Sequence, residues 1–295
     1  MKVFRKLDAL RAFRRENRDG HWGLVPTMGF LHPGHLELVR RARADHPRED
    51  GGRVAVSLFV NPTQFGEPED LAHYPRALER DLQLLEEAGV DLVFCPSDED
   101  MYPPGFQTYV HLEHVTQPLE GASRPTHFRG VATVLAKLFN LVQPDRAYFG
   151  QKDAQQTVVV RRLVKDLDFD LEVVVCPTVR EADGLAMSSR NARLSEPQRA
   201  AAPVLFRTLQ IARQALEEGE RDGDLLRQRM RQEIRSEPLA ELDYVSVADP
   251  DTLLELPVIG TSALLSLAVS FGAVRLIDNL PIDDLKPINS EPIAE

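Results

Sequence analysis

Pro26-Thr27-Met28-Gly29-Phe30-Leu31-His32-Pro33-Gly34-His35 reads as the end of a short strand that turns through glycines into a helix, with two imidazoles at the turn. Leu24-Val25 before it is apolar, and Leu36, Val39 and Ala42 after it recur at helical spacing. An anion is expected at such a turn. Unpaired N–H groups and the positive end of the dipole gather at a helix start, and glycines let a phosphate approach the backbone closely. His32 and His35, three residues apart, would face the same spot as donors. The spacing also fits a polar helix cap or half of a metal site; the strand before and the helix after are the context that a nucleotide site requires.

Outward from this stretch, strand and helix alternate. Val54 to Val60 is a continuous apolar run rich in β-branched residues, as expected of a strand buried on both faces, and it ends in the turn-rich loop Asn61-Pro62-Thr63-Gln64-Phe65-Gly66. Pro75 opens a helix with Leu78, Leu82 and Leu85 on one face and Gly89 at its close, and Leu92-Val93-Phe94 is the next strand. The segment 96–129 is rich in Pro, Gly, His and aromatic residues and reads as long loops with a short strand around Gln107 to Leu112. Gly130 begins a helix striped with Val131, Val134, Leu135 and Leu138. Ala147 to Phe149 is a strand, Gly150 to Asp153 turns into a helix through Leu163, and Leu171 to Val175 is a further strand. Five such alternations predict a parallel sheet with right-handed crossovers, whose ligands bind beyond the carboxyl ends of the strands. The loops 26–35, 61–66 and 150–153 are therefore expected to converge on one crevice.

Beyond Arg180 the character changes. Ser195 with Gln198 resembles a capping box ahead of a long helix to about Glu218, Asp224 caps a second with Leu226, Met230 and Ile234 in register, and the rest reads as strands, the last two joined at Phe271-Gly272. A smaller α+β domain is expected there, over 183–295, after a first domain over 1–182.

Over 295 residues, 43% hydrophobic and 27% charged content are those of an ordinary globular protein with a sizeable core. A net charge of -11 argues against nonspecific binding to nucleic acid or an anionic membrane, so any anionic ligand has to be met by a locally basic pocket. Cys95 and Cys176, each followed by proline, support neither a disulfide framework nor a four-ligand zinc site. The charged N-terminus, with Leu7, Leu10 and Phe13 on one helical face, lacks the pattern of a signal peptide, and the run Val258 to Val274 is too short and polar to span a membrane. A cytoplasmic, reduced setting is expected.

Several constellations can carry chemistry. Lys152-Asp153 opens a helix after a strand, so the lysine can reach a phosphate, or the two form an exposed first-turn pair. Met187-Ser188-Ser189-Arg190 offers two hydroxyls and a guanidinium, donors suited to triphosphate oxygens, or is a linker turn. Asn61, Gln64 and Gln156 are uncharged amides suited to hydroxyls and a carboxylate. Arg124, His127 and Arg129 could be a basic loop facing solvent, and Glu120 could position a cation or lie on the surface. His111 and His114 have ligand-like spacing without a supporting carboxylate or cysteine motif. No nucleophile elbow, reactive-cysteine motif or phosphate-binding GxxxxGK loop is present, which leaves positioning and electrostatics as the means of catalysis.

Taken in order, PTMGFLHPGH, FVNPTQFG, YPR at 74–76, LEGASRPTHFRGV, FGQKDAQQ, GLAMSSRN and the late RLIDN closely resemble the pantothenate synthetase (pantoate-beta-alanine ligase) family, from about residue 20 to 281. The resemblance implies a Rossmann-like doubly wound parallel sheet of the HxGH nucleotidyltransferase type, binding nucleotide and pantoate, with a smaller C-terminal α+β lid domain. It also implies a two-step ligation. Pantoate attacks the α-phosphorus of ATP to give a pantoyl adenylate and pyrophosphate with Mg2+, and the amine of β-alanine then displaces AMP to give pantothenate. By the family pattern Met28, Gly29, Phe30, Leu31, His32, Pro33, Gly34 and His35 contact ATP, as do Gly150, Gln151, Lys152, Asp153, Val179, Met187, Ser188, Ser189 and Arg190. His35 would act as general acid at the phosphate, with His32, Lys152 and Arg190 completing the catalytic set. Gln64 would hold pantoate close to β-alanine, Gln156 would hold pantoate, and Asn61 and Glu120 carry over less directly; no metal ligands are assigned. Phe30 stands where the family commonly has alanine, and Ala154 where an aromatic is common. The likeness of HxGH and MSSR to motifs of class I aminoacyl-tRNA synthetases implies that 187–190 closes over ATP, and the family is typically a homodimer. The competing functions are a nucleotidyltransferase of the HxGH superfamily and a catalytically silent nucleotide-binding protein.

Overall fold

The computed structural model describes residues 1–66 and 68–285, the side chains of 68–70 excepted. Two compact units divide the chain: Met1–Val179 with Met187–Ser189, and Arg180–Ala186 with the chain from Arg190 onward.

The first unit is built on a six-stranded, all-parallel sheet. Its strands are β1 (Lys2–Phe4), β2 (Trp22–Thr27), β3 (Arg53–Leu58), β4 (Leu92–Phe94), β5 (Arg146–Gly150) and β6 (Glu172–Cys176), in the order β1-β4-β3-β2-β5-β6. The apolar strands bury both faces by simple alternation. Trp22, Leu24, Ala55, Leu92, Phe94, Ala147 and Phe149 pack on one side, and Val25, Val54, Val56, Val93 and Tyr148 on the other. Helices α1 (Leu7–Glu16), α2 (Pro33–Asp45), α3 (Pro68–His73), α4 (Leu78–Glu87), α5 (Asp98–Met101), α6 (Glu120–Ser123), α7 (His127–Val142) and α8 (Ala154–Asp166) connect the strands. Leu10 of α1, Leu135 and Leu138 of α7 and Leu163 of α8 cover the first face; Val39 and Ala42 of α2 and Leu85 of α4 cover the second. The chain winds outward from β2 through β3 and β4, then returns to the other side of β2 as β5. The order therefore reverses between β2 and β5, where the loops leaving adjacent strands diverge and open a crevice. This is the doubly wound architecture expected from the sequence.

In the second unit α9 (Glu196–Ala201), α10 (Val204–Glu217) and α11 (Gly223–Arg235) accompany an antiparallel sheet of β7 (Glu241–Ala248), β8 (Ala263–Phe271) and β9 (Val274–Ile282). Leu205, Leu209, Leu226 and Met230 share one core with Val245, Val247, Leu265 and Leu267.

Several local expectations are corrected. No strand forms at Gln107 to Leu112, where the Val110 N–H donates to Thr133 Oγ1 (3.0 Å) instead of to a ladder partner. The helix expected to run to Glu218 is two, because Pro203 has no N–H with which to continue the first. Asp222, not Asp224, caps α11, accepting from Leu225 N (2.9 Å), while Asp224 lies in the first turn and pairs with Arg227. The helix assigned from Gly130 begins at His127, and β1 and α3 were not expected.

His46, at the end of α2, is 3% exposed and packs edge-on against the Tyr148 ring (6.2 Å) and so tightly on β2 that a side chain at Gly23 would meet its ring at 2.7 Å. Neither ring nitrogen has a hydrogen-bond partner among the described residues. Burial first, and the Arg146 charge second, hold its pKa below the ordinary 6.5. The unfolded chain therefore binds a proton that native His46 resists, and stability is lost as pH falls through that range. His46→Leu should raise stability by about 1 kcal/mol, the scale of an unmet buried polar group, and should flatten the decline of the thermal midpoint between about pH 7 and 5.5. An unchanged decline would remove His46 from the acid response.

Candidate active site

Beyond β2 three successive backbone donors are satisfied within the chain. Gly29 N donates to Thr27 Oγ1 (3.2 Å), while Phe30 N and Leu31 N donate to the two carboxylate oxygens of Asp81 on α4 (2.7 and 2.8 Å). Gly29 (φ 80°) and Phe30 (φ 50°) are both left-handed, and a side chain at Gly29 would come within 3.1 Å of Asp81 Oδ2. The anion held by these N–H groups is thus the chain's own carboxylate, 2% exposed.

α2 starts at Pro33, which fixes φ where no N–H is needed. His32 precedes it in extended conformation, and the His32 N–H points to His35 Nδ1 (3.4 Å). The two imidazoles stack with centroids 4.0 Å apart. Gly34 leaves room for this, since a side chain there would meet the His32 ring at 3.0 Å. Burial pushes the pKa of His32 down to about 4, helped by the Lys152 charge; burial, the neighbouring His32 and Lys152 push His35 down to about 3. Both rings are neutral at pH 7. Because Nδ1 of His35 accepts, its ring proton sits on Nε2. Nδ1 of His32 is buried with no hydrogen-bond partner among the described residues.

Lys152 follows β5 in a single 3-10 turn, Gln151–Asp153; its charge acts on both histidines, and its Nζ lies 3.6 Å from Asp153. β2 and β5 are the strands flanking the reversal of order, so the fold itself delivers the lysine to the histidines. Gly150, at the same strand end, has open space where a side chain would be.

The loop after β3 joins the same place. Gln64 is buried, and its Nε2 contacts Met28 Sδ (3.1 Å), tying loop 61–66 to the histidine turn. Asn61, 1% exposed, donates to Gln64 Oε1 (3.0 Å) and the Gly130 carbonyl (3.2 Å) and accepts from Tyr102 OH (2.8 Å) and Thr63 Oγ1 (2.9 Å). Its amide is spent on holding Gln64. The Gln64 carbonyl accepts from Arg124 Nη2 (3.1 Å) and from Nδ1 of His127 (2.8 Å), whose pKa is pushed down to about 4 by burial and by Arg124. Arg124 and His127 are therefore parts of the site wall rather than a solvated loop, whereas the exposed Arg129 stacks over Tyr109 (4.7 Å). Gln156 on α8 is half-buried. Its neighbour Gln155 turns inward to the carbonyls of Val115 (3.0 Å) and Pro118 (2.8 Å) and accepts from Glu120 N (2.9 Å), which seats the long loop before α7.

Val179 and Met187 pair through Met187 N to the Val179 carbonyl (2.9 Å), and Ser189 Oγ donates to the Phe30 carbonyl (3.4 Å), bringing this segment to the histidine turn. Arg190 belongs to the second unit. His111 and His114 are exposed, and no group of three or more metal-ligating side chains occurs among the described residues. None of the described helices is long and apolar enough to cross a membrane. Sequence reasoning does not single out Asp81, Tyr102 or Gln155. A signal exists for Asp81: it falls on the same helical face as Leu78, Leu82 and Leu85, a charge on an apolar stripe.

Known proteins resemble this chain over nearly its whole length. A pantothenate synthetase of Herpetosiphon aurantiacus is 57% identical over 281 residues, covering 95% of this chain and 99% of the relative. The crystal structure of pantothenate synthetase from Thermus thermophilus superposes with a TM-score of 0.90 at 50% identity, over 97% of this chain and 100% of that one. A pantoate-beta-alanine ligase from Francisella tularensis, crystallised with beta-gamma ATP and beta-alanine, superposes at 0.78 with 33% identity, covering 95% and 97%. The profile of the pantoate-beta-alanine ligase family matches residues 2–281, and with these identities over nearly its whole length the chain belongs to that family.

Proposed function

We propose that this chain is an ATP-dependent ligase that condenses pantoate with β-alanine through a pantoyl adenylate, releasing pyrophosphate and AMP. The observation that carries the reading is the stacked, neutral His32–His35 pair beside Lys152 at the point where the strand order reverses, with the Gln64 amide joined to it through Met28. A pantoate carboxylate oxygen bonds to the α-phosphorus as the bond to the pyrophosphate oxygen breaks. The amine nitrogen of β-alanine then bonds to the acyl carbon as AMP leaves. Neither step needs a protein nucleophile; both need charge held in place.

In this reading Nε2–H of His35 donates to phosphoryl oxygens as negative charge builds on them, and Lys152 supplies the positive charge that two neutral rings lack. The role of His35 is thus a neutral hydrogen-bond donor, a narrower part than the general acid that the resemblance implies. Gln64 and Gln156 are assigned to pantoate, and Asn61 acts through Gln64. Met28 to His35, Gly150 to Asp153, Val179 and Met187 to Ser189 are assigned to ATP; Arg190 and the lid role of the second unit are assigned on the resemblance alone, as is the homodimer. Mg2+ needs one or two carboxylates besides phosphate oxygens and water. Asp153, whose charge acts on His32, fits that need, and no larger protein cage is built among the described residues.

Incubation with pantoate, β-alanine and Mg-ATP should yield AMP and pantothenate in equal amounts, and pyrophosphate–ATP exchange should depend on pantoate but not on β-alanine. ADP as product would overturn the ligase, and pyrophosphate release with a stable nucleotide-linked product would favour a nucleotidyltransferase. His35→Ala should slow adenylation by roughly a hundredfold or more, whereas His35→Gln, which puts an N–H near Nε2, should retain more of the rate. Because both rings titrate at about 4 or below, their protonation should leave no acid limb in adenylation above about pH 5.5. A limb near pH 6.5 that disappears in His35→Gln would contradict the neutral pair.

A further inference from the structure

Successive backbone N–H groups turned toward one point make the kind of concavity that elsewhere captures phosphate. Here Gly29 and Phe30 form it, and Asp81 fills it from 50 residues away in sequence. A left-handed backbone is uncommon for a residue with a side chain, and Phe30 keeps it without glycine's freedom. Two hydrogen bonds to a buried carboxylate supply the constraint, and Arg80, beside Asp81 on α4, lies over the Phe30 ring at 5.7 Å. Immediately beyond Leu31 come His32 and Pro33, so any rotation of the turn is passed directly to the imidazoles.

We infer that Asp81 is a positioning residue for adenylation: its carboxylate occupies the anion nest of Phe30 and Leu31, fixes the turn that aims His32 and His35, and leaves the substrate phosphates to side chains. The inference rests on the ligase reading for its kinetic test. Asp81 need not touch substrate. Its substitution acts on the step that uses the histidine pair and leaves the recognition of β-alanine alone.

In Asp81→Asn an amide N–H replaces one acceptor and faces a backbone N–H, so the turn can be held on one side only. Pantoate-dependent pyrophosphate–ATP exchange, normalised to the folded fraction from thermal unfolding, should fall about tenfold to a hundredfold, the scale of a misplaced catalytic group, with KM for β-alanine unchanged. In Asp81→Ala the vacated nest can take formate from solution, so added formate should restore part of the rate while leaving the unsubstituted enzyme unaffected. An Asp81→Asn variant with undiminished exchange overturns the inference. So does activity lost only in step with folded protein and unmoved by formate, which would make Asp81 a stabilising residue alone. The Cε1–H proton resonance of His35 reads the ring without turnover: it should shift in Asp81→Asn and return with formate in Asp81→Ala. Failure of the ligase reading would show instead as no pantoate-dependent exchange in the unsubstituted enzyme, with the resonance test still decisive for Asp81.

Discussion

The crevice exists because the parallel strand order reverses beside β2. A strand that has neighbours added first on one side and then on the other sends its own loop one way and that of β5 the other. Everything chemically distinctive in the first unit uses that divergence. The histidine pair comes from the loop after β2, Lys152 from the loop after β5, and Gln64 from the loop after β3. No helix has to be distorted to assemble them. The sheet can serve as a rigid base because its strands are apolar on both faces and covered by α1, α7 and α8 on one side and α2 and α4 on the other.

Charge at the site is arranged against the trend of the whole molecule. The chain carries -11, yet the charge of a lysine bears on both histidines of the turn, and the buried carboxylate of Asp81 is already bound to backbone N–H groups. Burial makes the imidazoles neutral, and their stacking makes a charge on either one unfavourable to the other. The amide side is organised differently. Asn61 exhausts its hydrogen bonds on neighbours, and Arg124 and His127 grip the Gln64 backbone, so one amide is fixed from several directions.

Much of this was legible in the sequence because its causes are local. The apolar runs at 54–60 and 92–94, the glycines and histidines of 26–35, and the proline and capping signals fixed element types and placed three loops at strand ends. The parts that were not legible have long-range causes. Asp81 meets residues 50 positions away, and only its place on an apolar helical face hinted at a buried partner. Gln107 to Leu112 has strand-like residues but finds a threonine hydroxyl instead of a neighbouring strand. Three residues of β1 are too few to show a period, and they are a strand only because β4 offers an edge. Arg124 and His127 looked like a solvated basic loop because their partner is a backbone carbonyl, which no pattern of side chains announces.

The path of the chain between 179 and 190 bears on how such a molecule can change over time. Val179 lies in the first unit, 180–186 in the second, 187–189 in the first again, and Arg190 in the second. The excursion is secured where it goes: Arg180 binds Asp278 through both guanidinium nitrogens (2.6 and 3.0 Å) and lies over Phe206 (3.9 Å), while Arg199 holds Asp183 (2.5 Å). No single cut separates the two units, because any boundary in that interval leaves at least one of them with residues on both sides. Gene fusion or recombination cannot hand on the parallel sheet as a free-standing cassette without either losing Met187 to Ser189 or carrying 180–186 along. The two halves are stitched into one heritable piece.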